Sequence, residues 1–133
     1  ITSSIAYATN PETGKQNSSF HRLMPIDKTH LSIRMVEGRH LHRCFMDAKE
    51  HGEDLKIAIT VGVHPAVSIA GAYQAEWGKD EIDIANSLLG GKLSLAKLPF
   101  SGLNVPSGAE IVLEGKILRD KTHPVWMVEM FQT

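Results

Sequence analysis

Hydrophobic and polar positions change period several times along this chain, and each change marks an element. Residues 1–8 read as a strand, and Asn10-Pro11-Glu12-Thr13-Gly14 carries the Asn-Pro and Gly punctuation of a turn, so residues 15–22 should return beside it. Residues 20–26 form a short extended piece interrupted by Pro25. Residues 30–37 set Leu31, Ile33 and Met35 against Ser32, Arg34 and Val36, the alternation of a half-buried strand. Leu41, Cys44, Phe45 and Ala48 then fall at helical spacing, and Gly52 stands where a left-handed residue ends a helix, which predicts a helix over 40–51.

Residues 55–63 are β-branched and apolar enough for a buried strand, and Pro65 occupies a first helical position, opening a short helix to about residue 72. Asp80 is an N-cap for Ile82, Ile84, Ala85, Leu88 and Leu89, with Gly90-Gly91 closing that helix. Three further strands follow over 93–98, 109–118 and 125–131, separated by Pro99, Pro106 and a polar turn at 119–122. The tally is six or seven strands with three short helical insertions. Most spacers are too short for the crossover helices of a parallel sheet. The expected class is α+β, built on a mainly antiparallel barrel or curled sheet.

Composition narrows the function classes. The 133 residues, 42% hydrophobic, suit one core and a single domain spanning 1–133. Fourteen Lys and Arg against fifteen Asp and Glu leave a formal charge of −1 and no basic block, so no nucleic-acid partner is expected. Cys44 has no second cysteine to pair with, and neither a leader nor an apolar run of about 18 residues is present, so the expectation is a cytoplasmic protein without a membrane span. The chain opens on Ile1 and enters a strand at once, which reads as a domain taken from something longer.

Seven histidines invite a metal hypothesis, yet no zinc spacing and no His-x-x-x-His pair with a Glu occurs. The glycine signals at Gly62-Val63-His64-Pro65 and Gly90-Gly91 match neither phosphate-loop nor dinucleotide patterns. Residue types and spacing alone therefore reach an α+β domain and stop there.

Several segments taken together go further. Asn17-Ser18-Ser19-Phe20-His21-Arg22 has the form Asn-x-x-x-x-Arg, and His40 follows Arg22 by eighteen residues. Residues 57–65 (Ile-Ala-Ile-Thr-Val-Gly-Val-His-Pro) are a strand ending in Gly-x-x-Pro. Residues 81–90 (Glu-Ile-Asp-Ile-Ala-Asn-Ser-Leu-Leu-Gly) begin a helix on a glutamate. Residues 105–115 read Val-Pro-Ser-Gly-Ala-Glu-Ile-Val-Leu-Glu-Gly. In this order these segments resemble the central domain of the UbiD-type decarboxylases, enzymes that remove carboxylate from unsaturated acids using prenylated flavin mononucleotide (FMN) and a divalent metal.

The resemblance implies a split β-barrel like that of FMN-binding flavin reductases. It implies metal ligation by Asn17, His40 and Glu81, of manganese or a similar ion with potassium as a further candidate, and this mixed N/O set suits such an ion. It places Asn17, Ser19, Phe20, His21, Arg22, Arg39, His40 and Glu81 along the cofactor, with Gly71 and Ala72 approaching its phosphate through backbone groups. Arg22 would lie beside the reacting carboxylate, a role suited to a permanently charged planar donor. Glu129 falls near the family's proton-donating acid, a role that needs a pKa raised by burial. The preceding acid of the family's stretch has no counterpart in His123-Pro124-Val125-Trp126-Met127-Val128-Glu129-Met130.

Each site residue has a plainer reading. Asn17 could be a turn residue, His40 a polar residue at a helix start, Glu81 a favourable first-turn charge and Glu129 an outward strand residue. His42 competes with His40 for the ligand role. Glu110 and Glu114, on one face of a strand, are read as structural. The resemblance further implies a preceding α/β domain and a following domain that closes the site and makes the full-length enzyme a homo-oligomer, so this fragment alone should be inactive. The substrate would be a small aromatic or α,β-unsaturated carboxylic acid. Two alternatives stand: a flavin- and metal-binding barrel that no longer decarboxylates, and a flavin-reductase-like barrel without a metal set.

Overall fold

The computed structural model describes residues 1, 3–73, 76–77 and 79–119. Its centre is β1 (Ile5–Thr9), whose Ile-Ala-Tyr-Ala run is buried on both faces because it is an interior strand. The main sheet has the order β2-β1-β5-β8, with β2 at Gln16–Phe20, β5 at Leu55–Val61 and β8 at Ile111–Ile117, and all its pairings are antiparallel. Two small ribbons stand apart: β3 (Leu23–Pro25) with β4 (Leu31–Ile33), and β6 (Leu95–Lys97) with β7 (Asn104–Pro106).

Alternation along β1 and β5 divides the interior into two cores. Ile5, Tyr7 and Ala58 face α2 (Pro65–Ala72), α3 (Glu81–Leu88) and the β6–β7 ribbon through Val67, Ala70, Ile82, Ala85, Leu103 and Val105. Ala6, Ala8, Ile57 and Ile59 face α1 (His40–Glu50) through Leu41, Cys44 and Ala48, with Leu23 alongside. On the first face the Tyr7 hydroxyl and Thr60 Oγ1 form a 2.9 Å hydrogen bond, both fully buried. Burial pushes the Tyr7 phenol up to about 12.

Tyr7→Phe should cost about 1–2 kcal/mol, because the Thr60 hydroxyl then lacks a partner, whereas Tyr7→Phe combined with Thr60→Val should recover most of it. Urea unfolding of the four proteins measures this. A double variant as unstable as the sum of the singles would show the pair to be uncoupled.

Local chemistry accounts for the helix boundaries. α1 ends where Gly52 takes φ 71°, with Gly52 N–H donating to Lys49 O and Glu53 N–H to Ala48 O. α3 ends the same way, at Gly90 (φ 65°), with Gly91 N–H donating to Asn86 O. Asp80 caps α3 by accepting from the Ile82 N–H, and His64 Nδ1 caps α2 by accepting from the Ala66 N–H.

Three expectations change, and a fourth falls where it is not tested. The strand expected over 30–37 is paired, among the described residues, only at Leu31–Ile33, where β3 is its partner, and the chain then turns toward α1, with Arg39 N–H donating to Val36 O. β7 is an addition, since Pro106 reads as a separator; at the end of a two-stranded ribbon its missing N–H costs nothing. The barrel does not close: among the described residues β2 and β8 are the unjoined edges of the sheet, and the two ribbons form separate sheets, so the architecture is mixed α/β with antiparallel sheets. The strand expected over 125–131, with Glu129, lies outside the described residues.

Candidate functional site

Three side chains from three elements converge at the β2 edge of the sheet. Asn17 is on β2, His40 is the first residue of α1 and Glu81 the first of α3. Asn17 Oδ1 lies 3.3 Å from His40 Nδ1, and Glu81 Oε1 lies 3.9 Å from the same nitrogen. Two ligands each ~2.1 Å from an ion stand ~3.0 Å apart at right angles and ~4.2 Å apart across it, so both separations fall in the range of atoms sharing one cation.

Hydrogen bonds fix these donors. Asn17 Nδ2 donates to Ser19 Oγ (3.4 Å), which leaves Oδ1 turned toward His40. Ser19 Oγ meets His21 Nε2 at 2.8 Å, and His21 Nδ1 meets the Arg34 carbonyl at 3.0 Å. A carbonyl only accepts, so Nδ1 carries the proton and Nε2 accepts from the Ser19 hydroxyl. Burial lowers the His21 pKa, which agrees with this neutral tautomer.

Glu81 is 3% exposed and accepts the Ser18 N–H through Oε2 at 2.9 Å, satisfying an outward amide of the edge strand. Burial, partly offset by that bond, pushes its carboxyl above the ordinary range. Among the described residues its only ion-pair contact is His40, and His40 is itself held toward the neutral form, first by burial and then by Arg43 and Arg39. A buried carboxylate so little compensated, beside a neutral imidazole and an amide oxygen, is a donor set completed by a cation. The residues present therefore fit a divalent metal.

Trp77 forms the outer wall. Its ring meets His40 edge-on at 5.2 Å, and the Arg43 guanidinium lies 4.0 Å above it. Asn17, His40, Cys44, Trp77 and Lys79 line a hollow of about 10 Å³, room for one water-sized occupant. The Cys44 thiol is pushed up to about 11, mainly by burial, and stays protonated. A wider groove of about 720 Å³ shares Lys15, Gln16 and Lys79 with this hollow but contains none of the expected site residues. It is an open surface depression, and convergence of buried donors is the better guide to chemistry than size.

The other expected residues are dispersed around this centre. Ser19 and His21 belong to the chain of hydrogen bonds just described. Phe20 ends β2 38% exposed, beside Gly71 of α2, where an added Cβ would meet Ile5 at 3.4 Å and Phe20 at 3.6 Å. Gly71 is thus a close-packing position, and Ala72 beside it is exposed. Arg22 is half-buried between β2 and β3, and Arg39 is the exposed N-cap residue of α1. It is His40 that meets Asn17 and Glu81; His42 lies about 200° further around α1. Glu110 is exposed, and the exposed Glu114 accepts from Ser101 N–H and Oγ, bracing the β6–β7 ribbon.

Sequence pattern does not reveal Trp77, Arg43 or the Ser18 amide as parts of the site. Arg43 carries a signal, since it lies three residues after His40 on one helix. Trp77, in the connection before α3, carries none. Glu12, Asp47 and Glu50 also gather within 4.8 Å of one another, but at the surface. Among the described residues no helix is long and apolar enough to cross a membrane.

Residues 1–131 match the family model of the 3-octaprenyl-4-hydroxybenzoate carboxy-lyase Rift-related domain, UbiD. The chain belongs to the UbiD family. This UbiD-family domain is 41% identical over 118 residues to anhydromevalonate phosphate decarboxylase of Methanothermobacter thermautotrophicus, covering 89% of the chain and 27% of that protein. It is 36% identical over 108 residues to phenolic acid decarboxylase of Escherichia coli O157:H7, covering 78% of the chain and 22% of that protein. Among solved structures it superposes on an evolved dimeric form of the UbiD-class enzyme HmfF from Pelotomaculum thermopropionicum in complex with prFMN. That match has a TM-score of 0.86 at 42% identity and covers 90% of the domain and 28% of that chain. HmfF in complex with FMN gives the same TM-score and identity, with 27% of that chain covered. The domain spans about a quarter of the length of the curated relatives it matches.

Proposed function

We propose that this domain holds prenylated FMN through its phosphate and a divalent cation bound by Asn17, His40 and Glu81, and that the complete protein decarboxylates a small aromatic or α,β-unsaturated carboxylic acid. The observation that carries the reading is the meeting of those three donors from β2, α1 and α3. Solved relatives in complex with prFMN and FMN, and relatives named decarboxylases, support it.

When bound, prenylated FMN supplies the electron sink for the charge left behind as carbon dioxide departs. The protein's tasks are to bind, orient and protonate. Arg22 is proposed to hold the substrate carboxylate, which its planar guanidinium can grip in two places. Ser19, Phe20, His21 and Arg39 are proposed to flank the cofactor, and Glu129 to return the proton. A manganese-like ion is the metal proposed, with potassium as a second ion. The complete enzyme is proposed to be a cytoplasmic homo-oligomer of which this domain is the central part. Convergence of the three donors favours this reading over a flavin-reductase-like barrel, which has no use for them.

The test is binding of FMN with and without Mn2+, followed by flavin fluorescence, in the protein and in Asn17→Ala. Saturable binding that needs Mn2+, and weakens at least about tenfold in the variant, is expected. Equal binding with and without the ion would refute the metal set.

A further inference from the structure

Two side chains that are not metal donors are stacked against one that is. The Trp77 and His40 rings meet edge-to-face, 5.2 Å between centroids and 70° between planes, and the Arg43 guanidinium lies 4.0 Å over the Trp77 ring. His40 and Arg43 are three residues apart on α1, so both reach Trp77 from one side of the helix. Trp77 itself comes from the connection into α3, four residues before Glu81, and is half-buried against the α1-side core. It thereby ties the helix that supplies His40 to the segment that supplies Glu81. With Asn17 and His40 it also lines the hollow beside the donors.

A histidine that ligates a metal is normally oriented through its other ring nitrogen, which donates to a carboxylate, a carbonyl or water. His40 turns Nδ1 toward Asn17 Oδ1 and Glu81 Oε1, and among the described residues its Nε2 makes no hydrogen bond. The torsion that swings an imidazole about its Cβ–Cγ bond is broad and roughly two-fold. A half-turn about it sets a carbon where Nδ1 stands. The indole packed against the ring is what opposes that turn.

We propose that Trp77 is a positioning residue of the metal centre, its indole fixing the His40 ring with Nδ1 toward Asn17 and Glu81, so that cation affinity depends on a side chain that is not a ligand. This rests on the assignment of Asn17, His40 and Glu81 to a divalent cation. The probe is Mn2+ alone, titrated into the protein and followed by the electron paramagnetic resonance signal of the free ion, which reads weak binding as well as tight. Trp77→Leu should lower the affinity about tenfold. Trp77→Phe keeps an aromatic ring against His40 and should stay within about threefold of wild type. In a His40→Ala background, Trp77→Leu should change the affinity by less than about twofold, because the ring it positions is gone.

Thermal melts in chelator establish that each variant is folded, and Trp77→Met takes the place of Trp77→Leu if the latter is not. Equal losses from Trp77→Leu with and without His40, a loss in Trp77→Phe as large as in Trp77→Leu, or no loss in either overturns the role of Trp77 and leaves the metal set intact. A wild-type protein that does not bind Mn2+ overturns both.

Discussion

Glu81→Gln is expected to weaken Mn2+ binding by about 100-fold or more while making the metal-free protein more stable by about 1 kcal/mol. The two effects have opposite signs because the carboxylate is buried without a close cationic partner among the described residues. Burial holds its folded pKa above the ordinary 4.5. A group shifted upward on folding contributes stability in full below its unfolded pKa and loses it as pH rises through the folded value. At neutral pH the ionised side chain is therefore a cost to the metal-free fold. Glutamine removes that cost and can still accept the Ser18 N–H. The advantage of the variant in thermal melts with chelator should shrink as pH falls through the raised folded value and be gone below about 4.5, where wild-type Glu81 is protonated in both the folded and the unfolded chain. With Mn2+ present the order should invert, since the ion compensates the wild-type carboxylate. Calorimetric titration with Mn2+ measures the first effect. Unchanged affinity would remove Glu81 from the ligand set.

Leu41→Ala is expected to cost about 3 kcal/mol. Leu41 is fully buried on α1, in the core formed with Ala6, Ala8, Leu23, Leu55, Ile57 and Ile59. The small alanines of β1 leave room that only a long side chain from α1 fills, so its removal opens a cavity. His40 precedes it, so a loosened α1 should also weaken Mn2+ binding, by about tenfold. His42→Ala on the same helix gives the comparison: a change within about 0.5 kcal/mol and no loss of Mn2+ affinity. Urea unfolding and Mn2+ titration of both variants decide it. A loss of affinity in His42→Ala as large as in His40→Ala would mean that α1 presents a different face to the metal.

Elements whose boundaries depend on local chemistry are legible in the amino-acid sequence. Pro65, Asp80, Gly52 and Gly90-Gly91 act within a turn of their own positions, and all four stand where the helices begin or end. Antiparallel pairing follows from short spacers. Features that depend on distant partners are not legible in the pattern. β7 exists because β6 lies opposite it, and the 30–37 alternation yields three paired residues because its neighbour among the described residues, β3, is equally short. The site behaves likewise. His40 lies 23 residues after Asn17 and Glu81 a further 41 on, separations with no period a pattern could detect. Only likeness to a family singles them out, and even that does not show Trp77 against His40 or the Glu81 carboxylate closing the outer edge of β2.

Because an edge strand and the first turns of two separate helices each contribute one donor, no partly assembled chain can hold all three together. In refolding, the capacity to bind Mn2+ should thus appear with the slowest packing step, after the helices have formed. The same property turns stoichiometric titration with the ion into a count of fully native molecules in a preparation, independent of any substrate.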